Sequence, residues 1–370
     1  MTERARLERL LADFAAGRPA ALARAISVVE DHRPGFDQLL ARLHAQTGRA
    51  RRIGITGPPG AGKSTLTTAL CRALREAGRT VGIVCVDPTS PFSGGALLGD
   101  RIRMEQVALD PGVFIRSMAT RGSLGGLARA TREACDVLDA FGKEVILIET
   151  VGVGQSELDV ARTADTTLVV LTPESGDSIQ TLKAGVMEIA DCFVVNKADR
   201  PGADRLKHDI ELMLGLRGGG AAASLAGHHG VDLSALGDRD ALRDAMNPAR
   251  AARAAARDEE AEDWTPPVLT AVAARSEGIT ELVAALDRHG RYLDRSGELR
   301  RRRRARLKDR VIDATEQKMQ DRLWRDAATQ AWLDARLDAL EVGAVAPFDV
   351  ADALLAEHAS RLATPARAFP

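Results

Sequence analysis

Seven short apolar runs, rich in β-branched residues, recur through the middle of this 370-residue chain and are separated by stretches of helical length. Each run is nearly continuous in apolar residues, which is typical of strands whose sheet is covered by helices on both faces. Such strands, joined by right-handed crossovers, form a doubly wound sheet that binds its ligands beyond the carboxyl ends of the strands. We therefore predict an α/β fold with a doubly wound, mainly parallel sheet, whose strands are RIGIT, VGIVCV, VFIRS, EVILIE, TTLVVLT, CFVVN and PPVLTAV.

Helical patterns flank this central region on both sides. Apolar residues repeat at helical spacing through residues 1–50, and the chain after about residue 296 is helical in pattern and strongly charged. A low-complexity stretch and a charged Ala-rich stretch interrupt the strand pattern and favour an insertion. The predicted domains are an N-terminal helical extension (1–50), an α/β domain (51–295) with an insertion at about 217–262, and a C-terminal helical region (296–370).

Composition limits the partners that the chain is expected to have. Lys and Arg number 51 against 52 Asp and Glu, so the formal net charge is -1 and no global basic field points to nucleic acid. No apolar run approaches the ~20 residues that span a bilayer, and the N-terminus lacks the apolar core of a signal peptide. We expect a cytoplasmic protein without nucleic-acid or membrane partners, with reduced, buried thiols at its scattered cysteines, Cys71, Cys85, Cys135 and Cys192.

The segment GITGPPGAGKSTL, Gly54 to Leu66, matches the P-loop pattern in full and stands between a predicted strand and a predicted helix. Its glycines let backbone N–H groups turn inward around phosphate, and the helix N-terminus adds positive dipole. Lys63 is predicted to bridge the β- and γ-phosphates, and the Ser64 hydroxyl to ligate Mg²⁺. The predicted nucleotide-binding residues of this loop are Gly57, Pro58, Pro59, Gly60, Ala61, Gly62, Lys63, Ser64 and Thr65.

The segment NKAD, Asn196 to Asp199, directly follows the predicted strand CFVVN. A carboxylate at Asp199 can accept two hydrogen bonds from guanine, whereas adenine offers neither donor in that place. An adenine nucleotide would leave this carboxylate desolvated and unpaired, and discrimination built on a missing polar partner can reach ~10⁴-fold. Together with the P-loop, the segment predicts a site for GTP and GDP.

The stretch VILIETVGVGQSE, residues 145–157, is predicted to be a second element on the phosphate side. A buried strand would deliver Glu149 to its carboxyl end, within reach of the Mg²⁺ shell, and Gly152 would bring a backbone N–H to the γ-phosphate. Val153 follows this glycine, where a glutamine would be able to orient water, and Gln155 stands two positions further on. We therefore expect intrinsic GTP hydrolysis to be slow.

Two further loops are predicted beyond strand ends. Residues 87–104 are rich in Pro and Gly and carry Asp87 and Asp100, both candidates for the Mg²⁺–water network. The alternative is that Asp87 merely caps a turn. The other loop, residues 172–185, carries Asp177, Gln180 and Lys183, and on chemistry alone it is equally an ordinary connector.

With these motifs in place, the chain resembles the MeaB/ArgK-type GTPases associated with methylmalonyl-CoA mutase, a branch of the P-loop GTPases. The resemblance covers roughly residues 30–216 and 264–290. The stretches VDPTSPFSGGALLGDRIRM and RSMATRGSLGGLA are narrower signals than the P-loop. The other matching stretches are RAISVVED, ETVGVGQSE, SGDSIQTLKAGVMEIAD, NKAD and WTPPVLTA.

The resemblance implies a homodimeric chaperone that uses GTP binding and hydrolysis to gate adenosylcobalamin loading and to protect a cobalamin-dependent acyl-CoA mutase. It implies that the loop 172–185 is a third switch, responsive to the mutase, and that the C-terminal region dimerises. By motif position it assigns phosphate, Mg²⁺ and hydrolysis to Lys63, Ser64, Asp87, Asp100 and Glu149, and guanine to Asn196, Lys197 and Asp199.

This chain departs from the family pattern in three places. Val272 and Ala273 stand where the family has Ser-Ala, so only a backbone contact from Ala273 to guanine O6 is expected. The insertion at 217–262 is longer than the family's connector. The region after residue 296 matches the family only in helical character.

Two other functions fit parts of this pattern. A metallochaperone GTPase would hold nickel or zinc through Cys or His clusters, and the adjacent candidates here are His228 and His229 within the insertion. A protein kinase linked to amino-acid transport would release a phosphorylated protein instead of phosphate. The arginine run Arg300 to Arg304 is interpreted as a solvated or partner-facing helix surface, because no aromatics interleave with it.

Overall fold

The computed structural model describes residues 2–87, 104–119, 126–150, 156–175, 186–217 and 263–362. A seven-stranded sheet lies at its centre, in the order β3-β2-β4-β1-β5-β6-β7, and all of its pairings are parallel. The predicted α/β fold with a doubly wound sheet is therefore confirmed. The strands are β1 (Arg51–Thr56), β2 (Val81–Asp87), β3 (Val113–Ala119), β4 (Val145–Thr150), β5 (Thr166–Leu171), β6 (Cys192–Asn196) and β7 (Val268–Ala271).

Each predicted strand is present, and β7 is three residues shorter than predicted. β7 begins at Val268, after the two prolines of the run PPVLTAV. Proline has no N–H to donate to a sheet, although the carbonyl of Pro267 still accepts a hydrogen bond from Phe193 N–H. The central strands β4, β5 and β6 are buried along their whole length, as expected for apolar runs covered on both faces.

Helices connect the strands and cover both faces of the sheet. The helices before residue 300 are α1 (Glu3–Ala15), α2 (Pro19–Glu30), α3 (Phe36–Leu43), α4 (Lys63–Glu76), α5 (Glu105–Ala108), α6 (Gly126–Ala140), α7 (Ser156–Thr163), α8 (Val186–Ile189), α9 (Ala203–Arg217) and α10 (Ile279–Arg295). Short 3₁₀ turns lie at His44–Gln46, Pro173–Ser175 and Ala273–Arg275.

Alternate residues of each strand point into different hydrophobic clusters. In β4, Val145 and Leu147 pack with α4 and α10 on one face, whereas Ile146 and Ile148 pack with α1–α3 and α6 on the other. In β6, Val194 joins the first face and Phe193 packs with α9. This period of two explains why the strands are apolar at every position.

The N-terminal helices belong to the core on one face of the sheet. Leu22, Ile26 and Leu39 are fully buried, and the Phe14 ring meets the Phe141 ring edge-on with 5.0 Å between centroids. The helical pattern predicted for residues 1–50 is therefore present.

The chain divides into two compact units, residues 1–300 and 301–370. The second unit holds most of α11 (Glu298–Trp324), followed by α12 (Ala327–Asp334), α13 (Leu337–Glu341) and α14 (Pro347–Leu362). No residue of α11 is buried, and large apolar side chains of this unit such as Val342 and Phe348 are exposed. Among the described residues, none of the helices is both long and apolar enough to span a membrane. Residues 218–262 of the predicted insertion lie outside the described residues.

Candidate functional site

The P-loop lies between β1 and α4 and depends on glycine at two positions. Gly57 has φ 140°, and a Cβ there would stand 2.1 Å from the carbonyl oxygen of Val170 on β5. Gly62 has φ 83°, and a Cβ there would stand 2.5 Å from Asn196 Nδ2. Side chains rarely adopt such positive φ values, so only glycine gives this loop both its turn and its close approach to neighbouring strands.

Lys63 is the first residue of α4, and its side chain reaches back over the loop. Its Nζ donates hydrogen bonds of 2.7 Å to Gly57 O and 3.0 Å to Pro58 O, and the residue is only 6% exposed. The ammonium group is therefore held beside the inward-turned backbone of the P-loop. A buried cation next to a helix N-terminus is suited to attract phosphate groups.

Ser64 and Glu149 meet at the carboxyl edge of the sheet. The parallel register pairs Ile55 with Glu149, so the end of β4 lies beside the start of the P-loop. The Ser64 hydroxyl donates a 2.5 Å hydrogen bond to Glu149 Oε1, and Glu149 is 1% exposed. A hydroxyl and a carboxylate in contact form a hard oxygen donor pair that fits Mg²⁺.

This donor pair would need further ligands to hold a metal. Among the residues that the structure describes, no group of three or more His, Cys, Asp and Glu side chains is placed to hold an ion. Mg²⁺ usually keeps several waters and binds through one or two carboxylates plus substrate phosphates. The arrangement therefore fits a magnesium ion that arrives with a nucleotide.

Other predicted residues of the phosphate side fall outside the description. Asp100 and Gly152 lie outside the described residues, as do Val153 and Gln155. Asp87 ends β2 opposite Ala119, but its side chain is not described. The segment 176–185 of the predicted third switch is likewise outside the described residues.

Asn196 links the P-loop to the turn after β7. Its Nδ2 donates a 2.8 Å hydrogen bond to Ala61 O, and its Oδ1 accepts a 3.1 Å hydrogen bond from Ala273 N–H. The side chain is 2% exposed, so both contacts form away from solvent. Asn196 therefore fastens two loops that are 212 residues apart (273 − 61) in the sequence.

The same contact bears on the role expected for Ala273. Its N–H was predicted to meet guanine O6, and in this structure it donates to Asn196 Oδ1. A guanine contact would require the N–H to be shared between two acceptors. The role of Ala273 in guanine binding stays a prediction.

The rest of the NKAD segment forms the rim beyond β6. Lys197 adopts φ 57°, and the Ala198 N–H donates to Ala271 O, which together turn the chain sharply after the strand. The Asp199 side chain is 41% exposed, with Arg275 Nη1 at 4.0 Å from Oδ2. An accessible carboxylate at this place is what recognition of guanine requires.

The rim contains two charged residues that the sequence motifs do not reveal. Glu174, in the 3₁₀ turn after β5, lies 3.6 Å from Lys197 Nζ and also pairs with Arg200. Arg275 lies between Asp199 and Glu277. The pairs of Glu174, and the pair of Arg275 with Asp199, join separate loops, so no local sequence signal identifies them.

Comparison with known proteins agrees with this geometry. The profile of the family described as methylmalonyl-CoA mutase-associated GTPase MeaB matches residues 22–328, which is most of the chain. The chain belongs to the MeaB family. The resemblance drawn from the motifs is thereby confirmed, and the chain is a MeaB-family GTPase with a P-loop fold.

Individual relatives support the same family. A putative GTPase of Pyrococcus abyssi is 44% identical over 82% of each chain. The mouse protein named methylmalonic aciduria type A homolog, mitochondrial, is 40% identical over 52% of this chain and 50% of its own length. Among solved structures, a LAO/AO transport system kinase matches 96% of this chain and 98% of its own, with 25% identity and a TM-score of 0.62.

Proposed function

We propose that this MeaB-family GTPase is a chaperone that gates adenosylcobalamin loading and protects a cobalamin-dependent acyl-CoA mutase, of the methylmalonyl-CoA mutase type. The observation that carries the proposal is the family match over residues 22–328, because the family is described by its association with that mutase. The mouse relative, named for methylmalonic aciduria, supports the same partner.

GTP and GDP are the proposed nucleotides, and Mg²⁺ is the proposed ion. Lys63 would hold the charge of the β- and γ-phosphates, and Asp199 would accept the guanine donors. Ser64 and Glu149 would hold Mg²⁺, together with Asp87 and Asp100, and the bound ion would neutralise charge on the phosphate oxygens. The partly buried 2.5 Å contact between Ser64 and Glu149 supports their part in this assignment.

We infer that hydrolysis is slow alone and faster with the partner bound. Val153 stands where a glutamine would orient water, and GTPases that lack such a group gain up to ~10³–10⁵-fold in rate when a partner supplies what is missing. A partner that binds the GTP and GDP forms differently must shift the equilibrium of the switch segments, by linkage. The loops 87–104, 150–157 and 172–185 are the proposed switches.

A homodimer built on the C-terminal region, 296–370, is also proposed. The second unit exposes several large apolar side chains, among them Val311 at 66%, Val342 at 78% and Phe348 at 84%. Exposed apolar residues in this number favour burial against another chain. A cytoplasmic location is the proposed setting for both the dimer and the mutase.

The decisive experiment measures phosphate release by the purified protein with each acyl-CoA mutase of its source organism. We expect the cognate mutase to raise the GTPase rate and to bind with an affinity that depends on the nucleotide. Alanine at Asp177 or Lys183 should remove the stimulation and leave GTP binding intact, whereas Asp209→Ala, at a half-exposed position of α9, should change neither. If no mutase binds the protein or raises its GTPase rate, the chaperone proposal is wrong, and the protein is a GTPase with a different role.

One alternative is a protein kinase, because the structural relative described above is named a LAO/AO transport system kinase. A kinase would transfer the γ-phosphoryl group to a protein hydroxyl or another side chain, whereas a GTPase transfers it to water. The product therefore separates the two functions. With γ-³²P-GTP, we expect all of the label in free phosphate and none on protein.

A further inference from the structure

A cavity lies at the amino ends of the central strands, at the opposite edge of the sheet from the P-loop. It encloses about 540 Å³ and is bordered by Arg51 at the start of β1 and Val145 at the start of β4. The P-loop follows Thr56 at the other end of β1, so at 3.3 Å per residue the two places are about 16 Å apart. The cavity is therefore distinct from the nucleotide site, and its size is that of a small-molecule pocket.

Basic side chains predominate in the lining of this cavity. Five cationic residues border it, against the three carboxylates Asp139, Glu144 and Asp287. The cationic residues are Arg49, Arg51, Arg79, Lys143 and Arg291. The excess of positive charge favours a negatively charged occupant.

Two of the three carboxylates already accept hydrogen bonds from the protein's own backbone. Asp139 accepts from the N–H groups of Gly48, Arg49 and Ala50 at 2.7, 3.1 and 2.9 Å. Glu144 accepts from the Thr80 N–H at 2.8 Å, a bond that lowers the pKa of Glu144 and keeps it ionised. Both carboxylates therefore fix backbone N–H groups of nearby loops, and these hydrogen bonds occupy many of their lone pairs.

The third carboxylate, Asp287 on α10, fixes two of the arginines in place. Arg79 donates to both of its oxygens, at 2.8 and 2.9 Å, and Arg51 Nη1 donates at 3.3 Å. Gly290 makes room for this arrangement, because a Cβ at that position would stand 2.5 Å from Arg51 Nη1. Both guanidinium groups are therefore held rigidly at the cavity wall, as preorganised binding requires.

Arg49 provides hydrogen-bond donors that the protein does not use. Its backbone is anchored by Asp139, and its side chain is exposed. Within the described part of the chain, no hydrogen bond or ion pair to its guanidinium group is found. A guanidinium group binds carboxylate or phosphate through two parallel N–H···O bonds. The guanidinium group of Arg49 is therefore available to bind an anion, whereas the carboxylates of the cavity already accept hydrogen bonds from the protein.

We propose that this cavity is a binding site for a small anion that carries two or more phosphate or carboxylate groups. Arg49 is the residue that contacts the anion directly. Arg51 and Arg79, which are already paired with carboxylates of α10, supply further N–H donors at the cavity wall. The site goes beyond nucleotide binding and beyond the mutase proposal, since it shares no residue with either.

The test is isothermal titration calorimetry on the full chain saturated with GDP and Mg²⁺, so that the P-loop cannot bind the probe. One arm uses inorganic pyrophosphate with magnesium in excess, and the other uses tricarballylate. We expect saturable binding of one molecule per chain in at least one arm, weakening as salt is added. The arm that binds tells whether phosphate or carboxylate is preferred.

Charge-reversal variants distinguish specific binding in this cavity from a general effect of the protein's net charge. Arg49→Glu should weaken binding at least tenfold, and Arg49→Gln should weaken it by less, with GDP affinity unchanged in both as evidence of folding. Arg24→Glu makes the same change of charge on α2, where the side chain bonds to Ala20 O of its own helix, and should bind like the wild type. Absence of binding in both arms, or an equal loss in Arg24→Glu, overturns the proposal.

Discussion

The Ser64 hydroxyl donates a 2.5 Å hydrogen bond to Glu149 Oε1, joining the first turn of α4 to the end of β4. The two residues are 85 positions apart and meet because β1 and β4 are neighbours in the sheet. The contact puts a hydroxyl and a carboxylate side by side next to the P-loop. Such a pair can hold a hard cation against the phosphates of a nucleotide.

The first prediction concerns Glu149. Replacement with alanine should lower the rate of GTP hydrolysis by ~10²-fold or more and change GTP affinity much less, because the carboxylate acts through metal geometry. Asp100→Ala is expected to act in the same way. Single-turnover phosphate release, together with fluorescent-nucleotide titration, measures both quantities. Glu281→Ala, at an exposed position of α10, is the control, and wild-type hydrolysis by Glu149→Ala would show the assignment to be wrong.

The second prediction concerns Lys63, which acts on charge already present in the ground state. Lys63→Ala should weaken GTP binding by ~10–10²-fold, since a buried charge-assisted contact contributes about 1.5–3 kcal/mol. Equilibrium titration with a fluorescent GTP analogue measures the loss. Lys63→Ala should reduce the affinity for GTP, whereas Glu149→Ala should reduce the rate of GTP hydrolysis. Tight GTP binding by this variant would contradict the role given to Lys63.

The third prediction concerns the choice of base. Asp199→Asn should bind GTP more weakly and gain affinity for xanthosine triphosphate, because the amide replaces one acceptor with a donor. Calorimetry on the wild type, on this variant and on Asp209→Asn compares the two nucleotides and ATP. We expect Asp209→Asn to keep the preference for guanine. Equal affinity of the wild type for ATP and GTP would contradict guanine recognition by Asp199.

The fourth prediction concerns the link made by Asn196. Asn196→Ala would leave Ala61 O and Ala273 N–H without their buried partner. Each of the two unsatisfied buried groups costs about 1–3 kcal/mol, so the free energy of unfolding should fall by roughly 2–6 kcal/mol. Urea denaturation without nucleotide measures the loss. Asn196→Asp keeps an acceptor for Ala273 N–H but turns a buried carboxylate oxygen towards Ala61 O, so it should lose at least as much. Unchanged stability in the alanine variant would exclude the link.

The fifth prediction concerns the C-terminal region. A chain ending at Gly297 should sediment as a monomer, because it lacks the exposed apolar side chains of the second unit. The full chain should sediment as a dimer under the same conditions. Nucleotide binding by the shortened chain serves as the control for folding. A dimer formed by the shortened chain would place the interface elsewhere.

Local sequence patterns were sufficient to predict much of the fold. The strands are predictable because both faces of each are buried, so every position is apolar, and the helices are predictable from their period. The P-loop is equally local, since its pattern is formed by consecutive residues, Gly57 to Ser64. The buried, reduced thiols were predicted for the same reason, and all four cysteines are indeed buried and form no disulfide.

Tertiary structure decided which of these local elements meet. The strand order β3-β2-β4-β1-β5-β6-β7 depends on pairings between distant segments, and it alone brings Glu149 to Ser64. The packing of strands and helices side by side likewise places Asn196 between Ala61 and Ala273. It also places Arg51 against Gly290. Sequence by itself determined the elements and the chemical groups that they carry, because those depend on neighbours along the chain. Which groups stand within hydrogen-bond distance depends on neighbours across the sheet, and only the folded chain decides that.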